Sequence, residues 1–353
     1  MRRILLIFMA LFALIPLAAC GGGGDDDDDD DPTATATAEQ DETAEPTTPP
    51  ELSTSEILER NRLSVVNILT TTPQGEGGGS GVVWEDSQHI ITNAHVVIGA
   101  GAIKVADPDN PARTYAARVV ALSACDDVAL LEVDRGPFEP AVWGDSEEVK
   151  AGEDVVTLGF PGTLSGSDDI VVTEGIVSRA NATYDFEGFD DLIQHTAPIN
   201  PGNSGGPLFN TRGEVIGLNT FYAIGAQNEN YAITSNEALF VAEQLLEGEN
   251  LDYIGVSVIR NYEDLAYSWD LAYIDGLVVT GVDPGSPADL AEPYPFIWGD
   301  LIFSVDNTPV YTVGDFCDII RSRRAGQTIE VQVGNWDNNG EPFNNFRTQV
   351  ILR

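Results

Sequence analysis

The chain has 353 residues, with 17 Lys and Arg against 57 Asp and Glu, for a formal charge of −40. An apolar share of 42% is close to that of ordinary globular proteins, so this length can pack two or three domains, and global disorder is excluded. No basic face exists to displace counterions from phosphate, which excludes a nucleic-acid binder; the only lysines are Lys104 and Lys150.

Arg2 and Arg3 precede an uncharged run from Ile4 to Ala19, too short to span a bilayer and suited to the core of a signal peptide. It ends at Leu17-Ala18-Ala19-Cys20, which resembles the bacterial lipoprotein box. That resemblance implies a signal peptide over residues 1–20, lipidation of Cys20, and a membrane-anchored protein outside the cytoplasm. Residues 21–50 read as a disordered tether: Gly21 to Gly24, the acidic run Asp25 to Asp31, then Thr, Ala, Glu and Pro up to Pro49-Pro50. The tether carries eleven acids and no base, which leaves residues 51–353 at −31, an acidic surface that repels anionic partners.

From Glu51 the pattern changes. Ser53-x-x-Glu56 predicts a capping box and a short helix, followed by the strand Ser64 to Ile68. Further short strands are predicted at Gly81–Trp84, Ile90–Thr92, Ala129–Val133, Asp154–Leu158, Ile170–Val172 and Glu214–Leu218. Gly, Pro and Asp turns break them, which argues for a mainly β, antiparallel barrel or sandwich over βαβ units. A helix is expected from Asn236 to about Gly248, with Ser235 as N-cap. Beyond it the pattern restarts, with strands at Ile254–Ile259, Leu277–Val282, Leu301–Val305, Ile329–Val333 and Thr348–Ile351, and helices at Asp289–Ala291 and Phe316–Arg321. A domain boundary near residue 250 follows, giving domains over 51–250 and 251–353.

Cys20, Cys125 and Cys317 are too few for a disulfide framework, and Cys125 and Cys317 are expected as buried thiols. No His and Cys cluster has metal-ligand spacing, so neither a metal nor a cofactor is expected.

Three segments carry chemistry: Ile91-Thr92-Asn93-Ala94-His95-Val96-Val97, Asp126-Asp127-Val128-Ala129-Leu130-Leu131, and Asn200-Pro201-Gly202-Asn203-Ser204-Gly205-Gly206-Pro207-Leu208. A serine hydroxyl needs an adjacent imidazole to take its proton, and a buried carboxylate holds that ring in the useful tautomer. Glycines around the serine let backbone N–H groups face a developing oxyanion. The order His, Asp, Ser also differs from the Ser, acid, His order of acyl hydrolases on another fold.

These three segments resemble the catalytic segments of HtrA (Deg) serine proteases. Gly78-Gly79-Ser80-Gly81-Val82, Ser64 to Ile68 and Gly175-Ile176-Val177-Ser178 are similar to that family's flanking segments. The resemblance covers roughly residues 52–353 and implies a trypsin-like double β-barrel followed by an α+β PDZ domain. It also implies His95 as general base, Asp127 as its orienter with Asp126 as the nearest rival, and Ser204 as nucleophile. The N–H groups of Gly202 and Ser204 would form the oxyanion hole, and Ile199 would line the substrate pocket. The stretch Gln194-His195-Thr196-Ala197-Pro198-Ile199 departs from the family pattern and has no acid, which argues against cleavage after Lys or Arg.

Tyr253-Ile254-Gly255-Val256 resembles the carboxylate-binding loop of HtrA-type PDZ domains, where backbone N–H groups hold a peptide's terminal carboxylate in a nest. The captured peptide would add as a strand beside Val256 and Val258, under the helix carrying Ile319 and Ile320. The partners implied are unfolded polypeptides, peptide C-termini, the membrane through lipidated Cys20 and, by resemblance alone, two further copies in a homotrimer. An endopeptidase of unfolded or damaged extracytoplasmic proteins is the leading expectation. The alternative is a proteolytically silent, PDZ-containing chaperone or binding lipoprotein.

Overall fold

The computed structural model describes residues 50–161, 169–184, 188–223, 227–261, 275–336 and 342–352. The leader, Cys20 and all of the acidic tether except Pro50 lie outside the described residues.

The first element is helix α1, Thr54–Asn61, opened by the predicted capping box: the Ser53 side chain accepts from the Glu56 N–H, and the Glu56 carboxylate accepts from the Ser53 N–H at 2.9 Å. Six strands then close a barrel: β1 Val65–Thr72, β2 Gly75–Trp84, β3 His89–Thr92, β4 Ala102–Asp107, β5 Asn110–Ser123 and β6 Val128–Val133. Their order around the barrel is β1-β2-β3-β6-β5-β4, and the short helix α2, Ala94–Val97, follows β3 directly. Six more strands close a second barrel in the order β10-β11-β12-β9-β8-β7. They are β7 Asp154–Gly159, β8 Val171–Tyr184, β9 Phe189–His195, β10 Pro207–Asn210, β11 Val215–Tyr222 and β12 Asn230–Thr234. The longest strands, β5 and β8, shift register partway along, and such bulges let one strand bend around a barrel corner.

Alternation along the strands explains their unbroken apolar runs. In β6, Ala129, Leu131 and Val133 fill the first barrel, while Val128 and Leu130 join a second cluster that includes Leu158, Phe209 and Leu218 of the other barrel and Val241 and Leu245 of helix α3. A strand buried on both faces shows no polar alternation. Helix α3 spans Ser235–Leu245, and its N-cap is Thr234, not the expected Ser235. The Ser235 hydroxyl is committed elsewhere, donating to the carbonyl of Gly144 at 2.7 Å.

The C-terminal sheet runs β13-β14-β15-β17-β18, with β13 at its edge. Its strands are β13 Val256–Arg260, β14 Leu277–Val282, β15 Leu301–Val305, the two-residue β16 Thr308–Pro309, β17 Thr328–Trp336 and β18 Pro342–Ile351. Helix α4, Val313–Arg321, has its own capping box from Thr312 and Asp315 and buries Val313, Phe316, Cys317 and Ile320. Asp289–Ala291 is a hydrogen-bonded turn, not the helix expected there. The Leu290 N–H closes on Ser286 at 3.0 Å, but Phe296 then donates to Ala288 and leads the chain away.

The cysteine expectation is half right. Cys125 and Cys317 are both buried, at 5% and 3% exposure, yet they are joined in a disulfide across 192 residues, with their Cα atoms 5.6 Å apart. Two isolated cysteines carry no spacing signal, and only the packing of the β5–β6 loop against α4 makes them neighbours.

Phe209 is fully buried in the cluster shared by both barrels, a few residues beyond the serine turn. Phe209→Ala is expected to cost about 3–5 kcal/mol of stability, because the large void cannot collapse within closed strands; urea unfolding of the variant and wild type measures it.

Candidate active site

Three loops converge at the seam between the barrels. His95 sits in α2, just past the end of β3, where Asn93 donates its side-chain amide to the Asp127 carbonyl at 2.9 Å. Asp127 follows the β5–β6 turn with φ +53°, a left-handed value that Asp tolerates better than most residues. Its carboxylate accepts from the His95 backbone N–H at 3.0 Å, from the His95 Nδ1 at 2.9 Å and from the Thr220 hydroxyl at 2.8 Å. With Nδ1–H spent on the carboxylate, Nε2 carries the ring's lone pair. The rival, Asp126, is turned away and pairs with Ser123 and Arg321 instead.

Ser204 stands in a turn that only glycine can make. The Asn203 N–H closes on the Asn200 carbonyl at 2.9 Å, with Pro201 second and Gly202 third at φ +104°, as a type II turn requires. Gly205 has φ +81°, and a Cβ there would lie 2.2 Å from both the Ser80 carbonyl and the Thr92 hydroxyl. Ser80 clamps the turn from β2: its N–H donates to Ser204 O at 2.8 Å, and its hydroxyl donates to Gly202 O at 2.7 Å. Among the described residues, no acceptor takes the N–H of Gly202 or Ser204. The Ser204 hydroxyl donates to the Thr220 carbonyl at 2.9 Å and has no bond to the His95 ring. Thr220 therefore touches two of the three groups, its hydroxyl on Asp127 and its carbonyl on Ser204.

Desolvation is the largest single influence on the His95 ring and lowers its pKa, but 39% of the side chain stays open to solvent, and the charge and hydrogen bond of Asp127 outweigh that loss. The net shift is upward. His195 is the opposite case: fully buried inside the second barrel, its imidazole is pushed down to about 4 by desolvation and stays neutral. Ile199 is buried immediately before the serine turn.

The residues expected to hold a peptide terminus lie together at the edge of the C-terminal sheet. Ile254, Val256 and Ile320 are buried, while Val258 and Ile319 pack half-buried against the same core. Gly255 has φ +87° and passes so close to Ser286 that a Cβ would sit 2.0 Å from its side chain. The Tyr253 hydroxyl donates to Asp283 at 2.7 Å, and burial together with that carboxylate pushes the phenol up.

Sequence reasoning missed Thr220 and the clamping role of Ser80. Ser80 stood in a glycine-flanked segment that could have drawn attention; Asn219-Thr220-Phe221 carries no comparable signal. Chemically, the seam gathers an oriented imidazole, a serine hydroxyl and a glycine-rich turn, the parts that nucleophilic catalysis by serine requires.

Known proteins share the order of the two domains. A trypsin-like peptidase domain family matches residues 79–218, and a PDZ domain family matches residues 252–340. The chain is 34% identical, over 72% of its length, to a probable periplasmic serine endoprotease DegP-like of Halomonas elongata, of which it covers 53%. It is 33% identical over 73% of its length to the serine protease Do-like HtrA of Bacillus subtilis, covering 60% of that protein. It is 32% identical over 74% of its length to the putative serine protease HhoB of Synechocystis, covering 64%. The chain thus spans between about half and two thirds of these relatives. Among solved structures, the HtrA-type protease AlgW with tripeptide is similar at 28% identity and a TM-score of 0.52, over 85% of this chain and 96% of that one.

Because Asp127 raises the His95 pKa, the ring should titrate in an NMR pH series above the ordinary imidazole value of 6.5. Asp127→Asn should move that midpoint down; an unchanged midpoint would mean the carboxylate does not govern the ring.

Proposed function

We propose that this chain, a member of the HtrA/DegP family with a trypsin-like peptidase domain followed by a PDZ domain, is a serine endopeptidase of unfolded or damaged proteins outside the cytoplasm. The observation that carries the reading is the bonded chain from Ser204 through Thr220 to Asp127 and on to His95. In this mechanism the Ser204 hydroxyl rotates from the Thr220 carbonyl to His95 Nε2, gives up its proton there and attacks the scissile carbonyl. The N–H groups of Gly202 and Ser204 hold the resulting oxyanion, each donor contributing about 3–4 kcal/mol at the transition state. Asp127 stabilises the imidazolium, which then protonates the leaving amine, and water releases the acyl-enzyme by the same route. Buried, aliphatic Ile199 and the lack of an acid from Gln194 to Ile199 favour small or β-branched side chains before the cut.

The PDZ domain, in this reading, captures peptide C-termini. The strand β13, last in the sheet among the described residues, supplies the strand partner, and the turn from Tyr253 to Val256 supplies the nest for the carboxylate. Relatives named as periplasmic support an extracytoplasmic location. Lipidation at Cys20, the boundaries at residues 20, 50 and 250, and a trimer belong to the proposal as well.

The resting bond of Ser204 to Thr220 is what a second reading rests on, a proteolytically silent chaperone that only binds chains. Catalytic hydrogen bonds often form only with substrate present, so the enzyme reading is preferred. Digestion of unfolded casein should fall by about 10⁶-fold in Ser204→Ala, and a fluorophosphonate should label Ser204 in the wild type. Wild-type protein that suppresses aggregation, releases no peptides and resists the label would favour the chaperone. The base must be neutral to act, so kcat/KM should fall as pH drops through the raised His95 pKa; a rate flat from pH 5 to 8 would remove His95 from that role.

A further inference from the structure

The loop that carries Asp127 is also where the protease domain meets the PDZ helix. Leu251 donates its N–H to Leu122 O at 3.0 Å, Leu122 donates to the Asn250 side chain at 2.9 Å, and Ser123 pairs with Leu251 as a parallel bridge. Two residues on, Cys125 is bonded to Cys317, which lies on the buried stripe of α4 with Val313 and Ile320. The Cys125 sulfur is 4.0 Å from the carbonyl of Asp252, the residue just before the Tyr253–Val256 turn. Asp126 then pairs with Arg321 at the end of α4, and Arg321 also holds Asp252 at 2.8 Å. A carboxylate and a side chain from the protease domain thus already sit on the PDZ helix, beside the turn that would receive a peptide's terminal carboxylate. A cleft of about 670 Å³, lined by Asp252, Tyr253, Ile320 and Arg323 among others, opens next to them.

We propose that the Cys125–Cys317 disulfide is a redox latch: while closed, it seats residues 123–126 on α4 and shuts the PDZ groove to peptide C-termini, and its reduction opens the groove. The proposal rests on the capture reading given above. The exchange needs an external dithiol and balances with it. One thiolate attacks a bridge sulfur and breaks the Cys125–Cys317 bond, forming a mixed disulfide. The second thiolate resolves that intermediate into the reductant's own disulfide. Two electrons pass to the bridge, and the two protons of the dithiol end on Cys125 and Cys317 as thiols. Without the bond, the loop is held at α4 by the Asp126–Arg321 pair, which a partly exposed site keeps weak, and by the hydrogen bonds to residues 250–251.

The test uses the full chain carrying Ser204→Ala, so that no probe is cut, and a fluorescein-labelled decapeptide ending in a free valine, with its C-terminally amidated twin as control. Fluorescence anisotropy should show affinity for the free-acid peptide rising at least ~10-fold on treatment with dithiothreitol, as the binding-competent fraction grows. Adding Cys125→Ser or Cys317→Ser should give the tighter affinity with or without the reductant. Equal binding by oxidised and reduced protein would overturn the latch and leave capture standing, the disulfide then being only a brace. No binding in any state would overturn capture, and the latch with it. Should the cysteine variants fail to fold, thiol titration of the parent protein before and after dithiothreitol decides: two new thiols must appear together with the gain in affinity, and a gain without them overturns the latch.

Discussion

A buried carboxylate, Asp127, has to be satisfied from both barrels at once. It emerges from the first barrel beside His95, yet one of its three hydrogen bonds comes from Thr220 on β11 of the second. A buried carboxylate left short of partners costs several kcal/mol, so docking of the two barrels in one relative position is what completes its hydrogen bonds. The same docking brings the Ser80 hydroxyl of β2 to the serine turn. Both barrels can be built from many apolar sequences; their mutual alignment is what this polar seam fixes.

Cost and use meet again in the serine turn. Gly202 and Gly205 hold left-handed backbone where a side chain would strike Phe160 or Ser80, so the turn can follow this tight path only with glycine at both positions. Ser80 carries part of this load, because its N–H and hydroxyl satisfy carbonyls that the turn exposes.

The β5–β6 loop serves two neighbours. Its Asp127 end faces the imidazole, while Cys125 and Asp126 face α4 of the C-terminal domain. The end of α2 meets the same domain: the Gly99 N–H donates to Asp283, which also accepts from Tyr253. Segments flanking both His95 and Asp127 therefore bear on the domain that carries the Tyr253–Val256 turn.

Local chemistry was legible in the chain itself. The capping box at Ser53, the strands at Leu277–Val282 and Leu301–Val305, and the segments bearing His95, Asp127 and Ser204 follow from near-neighbour patterns, because caps, pleats and turns involve residues a few positions apart. The strands β4, β5, β9, β10 and β12 escaped notice, since exposed or two-faced strands lack a clean alternation. The bridging place of Thr220 on Asp127 and the pairing of Cys125 with Cys317 were decided only in three dimensions. Each depends on segments roughly 90 to 190 positions apart arriving face to face, and no local spacing encodes which distant surface a side chain will meet.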